Sequence, residues 1–275
     1  MRCKAICLII CSFLLSAEVE ALQICGELKQ GGFVHVKDTN LNHIVFNGKI
    51  YEADEDGILP LAFGREQVFE NEIIAYYDND SQVKFSIKID KTDWDIQKID
   101  GVQQQKVTPS DKDMEEIKKE GADVKGALNI NVNNDGWLKN MIKPVEGRTS
   151  GKFGGQRIMN GIKKNPHQGW DIASPEGTEV RASSDGEITL ADGPYFYSGN
   201  MVIINHGKKL STIYAHLNKV LVKLGDKVKK GDVIGLVGKT GRATGPHLHF
   251  GASLNGVRFN PENLIDFNAD KCVDF

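Results

Sequence analysis

The sequence predicts a mostly β protein, with a small N-terminal β-sandwich-like module followed by a C-terminal antiparallel β-sheet domain. Three observations carry that reading. Short runs of β-branched and aromatic residues recur through both halves, punctuated by Gly, Asn and Asp. Asn47-Gly48 sits between two apolar triplets, the strongest short-range hairpin signal. One stretch, after Ser110, carries helix start and stop signals. The chain of 275 residues has room for one or two domains with cores of their own. Its 40% hydrophobic and 26% charged residues are those of an ordinary soluble globular protein. A net charge of -3 gives no global attraction to nucleic acid, and no zinc-finger or RNA-binding signature appears.

Residues 1–21 read as a secretory signal. Arg2 and Lys4 give a positive start, residues 5–17 are almost wholly apolar, and Val19-Glu20-Ala21 offers small residues for cleavage after Ala21. The apolar run is shorter than the ~20 residues of a permanent membrane anchor. A lipoprotein signal is disfavoured because Ile24 precedes Cys25, where a small residue is expected. Export to the periplasm or cell-wall space follows. Of the five cysteines, Cys3, Cys7 and Cys11 leave with the signal. Cys25 and Cys272 remain, and an even pair in an oxidising compartment suggests a disulfide joining the two ends.

Residues 22–91 form the small all-β module. Strands are expected at 32–36, 44–46 and 49–51 around Asn47-Gly48, then at 58–63, 72–77 and 83–89, the last two joined by Asp78-Asn79-Asp80. His35 and His43 are isolated there and read as packing or surface residues. Residues 92–141 form a polar connector. Ser110 and Asp113 resemble a capping box, so a short helix is expected over 114–120, ended by Gly121, with a loop over 127–135. The connector's length and polarity suggest that it lies over a groove of the next domain. From residue 142 to 267 strands are expected at 178–182, 186–191, 201–205, 211–216, 233–237 and 247–252, with a tail over 268–275. Tyr195, Phe196 and Tyr197 precede residue 201, either lining a groove or filling a core.

Four of the seven histidines and one aspartate stand out in this domain. His247 and His249 lie two apart, so on a strand both share one face, about 6.6 Å apart, with Leu248 on the other. One or both could bind a metal, and spacing does not decide. His167 and Asp171 are four apart, about 13 Å on a flat strand, so both reach one ion only if the chain bends near Pro166 and Gly169. His216 ends a β-rich run. His206, in Asn205-His206-Gly207, reads as structural.

These residues, in this order, resemble the lysostaphin-type (LytM-like) zinc metallopeptidases over residues 144–261. The shared motifs are His167-Gln168-Gly169-Trp170-Asp171, Gly177-Thr178, Asp185-Gly186, Tyr214-Ala215-His216-Leu217, Gly225-Asp226, Gly231-Asp232 and Thr244-Gly245-Pro246-His247-Leu248-His249-Phe250. The resemblance implies one zinc ion held by His167, Asp171 and His249, with His216 and His247 assisting catalysis. Phe153-Gly154-Gly155-Gln156-Arg157 stands where the family often carries a similar stretch, Arg157 contacting substrate or steadying a loop. The implied substrate is a peptidoglycan stem or bridge peptide. A cross-link amide in a periplasm is the preferred target, and a glycine-rich bridge is also compatible. The absence of His-Glu-x-x-His excludes a helix-borne site of the thermolysin type.

Two other classes compete. A wall-binding or hydrolase-activating module would be catalytically inactive, and such modules usually lose ligands that this chain keeps. Residues 225–235 resemble the hairpin of biotinyl and lipoyl carrier domains, but no modifiable lysine stands in a matching context and the site residues would go unexplained.

Overall fold

The computed structural model describes residues 21–275. The signal peptide expected at 1–21, with Cys3, Cys7 and Cys11, lies outside the described residues except for its last residue, Ala21. Among the described residues, no helix is long and apolar enough to cross a membrane.

The chain is mostly β, as its punctuation predicts. The N-terminal part contains β1 (Gln23–Gly26), β2 (Phe33–Lys37), β3 (Leu41–Phe46), β4 (Lys49–Glu52), β5 (Ile58–Ala62), β6 (Glu70–Tyr77) and β7 (Gln82–Lys88). They form an antiparallel sheet of order β4-β3-β6-β7 and a second sheet containing β1-β2-β5. Asn47 (φ 50°) and Gly48 (φ 71°) make the tight β3–β4 turn, pairing Phe46 with Lys49. Two successive left-handed residues match the twist of the flanking strands, which is why Asn-Gly signals this turn.

The connector is more structured than its polarity suggests. It contributes β8 (Ile96–Ile99), α1 (Gln104–Val107), α2 (Asp111–Asn129) and a 3-10 turn at Gly136–Leu138. The capping box exists as read: the Ser110 side chain accepts from the Asp113 amide, and the Asp113 carboxylate accepts from the Ser110 amide. The helix does not stop at Gly121. It continues through Gly126 because Ala127 and Leu128 pack against Leu190, Ile203 and Ile213 of the following domain. That burial outweighs the roughly 1 kcal/mol each glycine costs in a helix.

The C-terminal part adds β9 (Arg148–Gly151), β10 (Gln156–Met159), β11 (Ile162–Lys163), β12 (Trp170–Ala173), β13 (Glu179–Arg181), β14 (Gly186–Tyr195), β15 (Gly199–Asn205) and β16 (Leu210–Leu217). Then follow β17 (Lys219–Val220), β18 (Lys227–Val228), β19 (Val233–Leu236), β20 (His247–Leu254), β21 (Val257–Phe259), α3 (Glu262–Ile265) and β22 (Cys272–Asp274). The main sheet has the order β18-β14-β15-β16-β20-β12-β9, with β21 beside β20. Val202 and Ile204 face a core shared with Val180, Ile234 and Leu248, while Met201 and Ile203 face the side covered by α2. Both faces are covered, so β15 and β16 are buried almost throughout rather than in alternation.

Three joins tie the parts together. β8 pairs in parallel with β10, so the connector supplies a strand beside the C-terminal domain. The N-terminal core takes in Trp137, Leu210, Leu254 and Phe259, so apolar packing runs on past residue 91. The expected tail forms β22 against β1, where Cys25 faces Cys272 and the two are joined by a disulfide. His35 is buried among Phe33, Trp137 and Phe267, and His43 stacks on Tyr76.

Candidate metal centre

Strand register assembles the site. Asp171 of β12 pairs with His249 of β20, which pairs with Ala215 of β16. These three lie in one row on the face opposite the core residues Ile172, Leu248 and Tyr214. His167 precedes β12 and reaches the row because the chain turns before Trp170. Gly169 permits this by its lack of a side chain: a methyl there would lie 2.6 Å from His249 Cε1. Gly151, on the neighbouring strand, plays the same part for Asp171, whose Oδ2 would be 2.6 Å from an added methyl.

His167 Nε2, Asp171 Oδ1 and His249 Nδ1 close a triangle with sides of 2.9, 2.8 and 3.0 Å. A tetrahedral ion with bonds of about 2.0–2.1 Å has ligand–ligand edges of roughly 3.3 Å, so this triangle is near the size of one face. The tautomers agree with that reading. His167 Nδ1 lies 2.9 Å from the Lys152 carbonyl, which can only accept, so Nδ1 carries the proton and Nε2 offers a lone pair. Two neutral imidazoles and one carboxylate are a donor set suited to zinc. Burial would raise the Asp171 carboxyl, yet its close contacts with the His167 and His249 rings hold it well below the usual carboxylate range. Burial lowers His167, and it lowers His249 to about 4, which keeps both rings neutral and available as donors.

His216 and His247 stand beside this triangle, their ring centroids 4.7 Å apart. His247 Nε2 lies 3.8 Å from Asp171 Oδ1. Each ring gives its Nδ1 proton to a backbone carbonyl, Thr240 at 2.8 Å and Gly245 at 2.9 Å. Each Nε2 is therefore the free lone pair of the neutral ring. His216 reaches its position through a β-bulge. Asn200 faces Leu217 and Val202 faces Tyr214, so Met201 opposes both Ala215 and His216. His216 has φ 64°, a left-handed conformation uncommon for a side chain other than glycine. Simple alternation from Tyr214 would send the imidazole into the core, and the bulge turns it toward His247 instead. Burial and the neighbouring His247 lower His216 to about 3.

The five site residues expected from sequence are thus brought together, and His206 is kept apart. Its Nδ1 donates to the Asp185 carbonyl at 2.7 Å, and its Nε2 lies 2.7 Å from Thr212 Oγ1. Three features escaped the sequence reading. Arg157 Nη2 binds Asp171 Oδ2 at 2.5 Å, leaving Oδ1 for the triangle. The Thr240 and Gly245 carbonyls orient the two outer histidines. Arg242, just before the His-x-His strand, lines the cleft. The Phe-Gly-Gly-Gln-Arg stretch drew attention to Arg157 without giving its partner, and backbone carbonyls leave no signal in a sequence. Of the aromatics before residue 201, Tyr197 lines the cleft while Tyr195 and Phe196 are buried. The connector borders this cleft rather than covering it: Lys106 Nζ donates to the Phe196 carbonyl at 2.7 Å, and Glu120 accepts from the Phe196 amide at 2.7 Å.

Residues 165–261 match peptidase family M23. The chain is 46% identical over 122 residues to the peptidoglycan DD-endopeptidase ShyA of Vibrio cholerae, a match covering 44% of this chain and 27% of that protein. It is 50% identical over 98 residues to the DD-carboxypeptidase/endopeptidase Mpg of Neisseria meningitidis, covering 36% of this chain and 22% of that one. Both matches span less than a third of the relative's length. A solved putative M23 peptidase from Pseudomonas aeruginosa superposes with a TM-score of 0.66 at 26% identity, covering 87% of this chain and 95% of that one.

Proposed function

Residues 165–261 form an M23 peptidase domain, and from that we propose that the protein is an exported zinc metalloendopeptidase hydrolysing peptide cross-links of peptidoglycan during cell-wall remodelling. The observation that carries the proposal is the triangle of His167, Asp171 and His249 with two further imidazoles beside it. The two curated relatives named above are peptidoglycan endopeptidases by name, which supports the substrate class. The Cys25–Cys272 disulfide supports an oxidising, extracytoplasmic location.

His167, Asp171 and His249 would hold the ion. A bound zinc ion supplies Lewis acidity, polarising a peptide carbonyl and acidifying water. Arg157 fixes the carboxylate so that Asp171 presents one oxygen and keeps the other on the guanidinium. His216 and His247 are proton carriers, each with a bare Nε2 and with Nδ1 anchored on a carbonyl. Held neutral by burial, His216 accepts a proton from the attacking water or returns one to the leaving amine. Once protonated, either ring stabilises the developing oxyanion. Retention of all five groups favours this enzyme over an inactive wall-binding module.

Metal analysis tests the proposal. The purified full chain is expected to carry one equivalent of zinc and to release amino groups from sacculi, with both lost on chelation and restored by zinc. A zinc-loaded protein inert on walls of every cross-link type would favour the binding module.

A further inference from the structure

The cleft above the metal centre has a volume of ≈ 630 Å³, and its charge is one-sided. Arg157, Lys163, Lys164 and Arg242 line it, and among the described residues no carboxylate does. The whole chain has a net charge of -3, so this concentration of cations is local. Arg157 is neutralised by Asp171. Among the described residues, Lys163, Lys164 and Arg242 form no ion pair.

Arg242 differs from the two lysines in being built in. Its guanidinium carbon lies 4.1 Å from the centre of the Tyr197 ring. Its backbone amide donates to the Tyr197 carbonyl at 2.8 Å. Its Nη1 makes one long hydrogen bond, 3.3 Å, to the Lys106 carbonyl. Its remaining donors have no protein acceptor among the described residues, in a half-buried side chain. An aromatic stack and two backbone anchors fix the planar fork beforehand, so little side-chain entropy is lost when an acceptor arrives. A rigid, unpaired, partly desolvated guanidinium matches a carboxylate, which it can bind through two parallel N–H···O bonds. Lys163 and Lys164, which line the same cleft, add long-range attraction for the same charge.

We propose that Arg242 is the carboxylate-binding residue of this cleft, selecting peptides with a free carboxylate near the scissile amide over amidated peptides and uncharged glycine bridges. The proposal rests on the reading of the cleft as a peptide-binding site. The carboxylate could be a side group within a cross-link or a chain-terminal one, and the probes below separate these.

The test is equilibrium binding of three non-hydrolysable wall peptides to the zinc-loaded full chain, each with a ketomethylene in place of the scissile amide. One peptide has a free carboxylate only beside that position, one only at its C-terminus, and one has both amidated. We expect one acidic peptide to bind about 10–100-fold more tightly than the amidated one. Arg242→Gln should abolish that preference by weakening the acidic peptide far more than the amidated one, and Arg242→Lys should keep part of it. Equal affinity of all three peptides for the wild-type chain would overturn the proposal. So would a preference that persists in Arg242→Gln, or an equal loss for all three, which would mark Arg242 as structural. Hydrolysis of sacculi is measured separately: a chain that prefers the acidic peptide but cleaves nothing refutes the endopeptidase reading and leaves the carboxylate site standing.

Discussion

His216 and His249 lie in one cleft, and the function proposed above gives them separable tasks. His249 Nδ1 belongs to the donor triangle, whereas His216 Nδ1 is committed to the Thr240 carbonyl. His249→Ala should therefore lose stoichiometric zinc by elemental analysis. His216→Ala should retain about one equivalent and lose about 10²–10⁴-fold in kcat. Loss of zinc from both variants would contradict the division. Gly169→Ala probes the close packing of the site: its methyl must displace His249, and zinc affinity by competition with a chelator should fall about 10–100-fold without unfolding. That these five side chains gather in one cleft was legible in the sequence because motif order marks them. The bulge at His216 and the Arg157–Asp171 pair were not, since both depend on which strands become neighbours.

Local rules predicted the elements they govern and failed where a distant partner decides. Asn47-Gly48 and the Ser110 cap are set within four residues, and both appear as read. Ser110→Ala should cost about 1 kcal/mol in urea unfolding. The extension of α2 past Gly121, the parallel β8–β10 pair and the β22–β1 pair all depend on chain that is remote in sequence. Buried histidines make a second prediction about the supporting elements. His35 and His206 are each lowered by burial to about 4. A depressed value means that stability is fully present above the unfolded value near 6.5 and is lost as pH falls toward 4. Each contributes on the order of 3 kcal/mol of that loss. Among the described residues His35 Nε2 also lacks a partner, so His35→Phe should match or exceed wild-type stability at pH 7 and flatten the decline between pH 6.5 and 4 in urea titrations. An unchanged slope would refute the assignment.

Across the whole molecule, the two ends of the described sequence are fastened together. Cys25 and Cys272 enclose nearly the full described sequence, with a separation of 247 residues. Constraining so long a loop in the unfolded chain stabilises the fold by about 2–5 kcal/mol. Replacing both cysteines by serine should lower unfolding stability by that amount and leave kcat/KM on isolated peptides unchanged. The connector joins the two parts differently, through β8 beside β10 and through Lys106 and Glu120 at Phe196, so it shapes the cleft wall that carries Tyr197 and Arg242. We propose above that this cleft hydrolyses wall cross-links through the His167–Asp171–His249 centre. Digestion of purified sacculi by the full chain, with product masses and new amino termini identified beside His249→Ala, tests it most directly. The wild-type chain should convert cross-linked peptides to their uncross-linked halves, and the variant should convert none. Conversion by His249→Ala at the wild-type rate would contradict it.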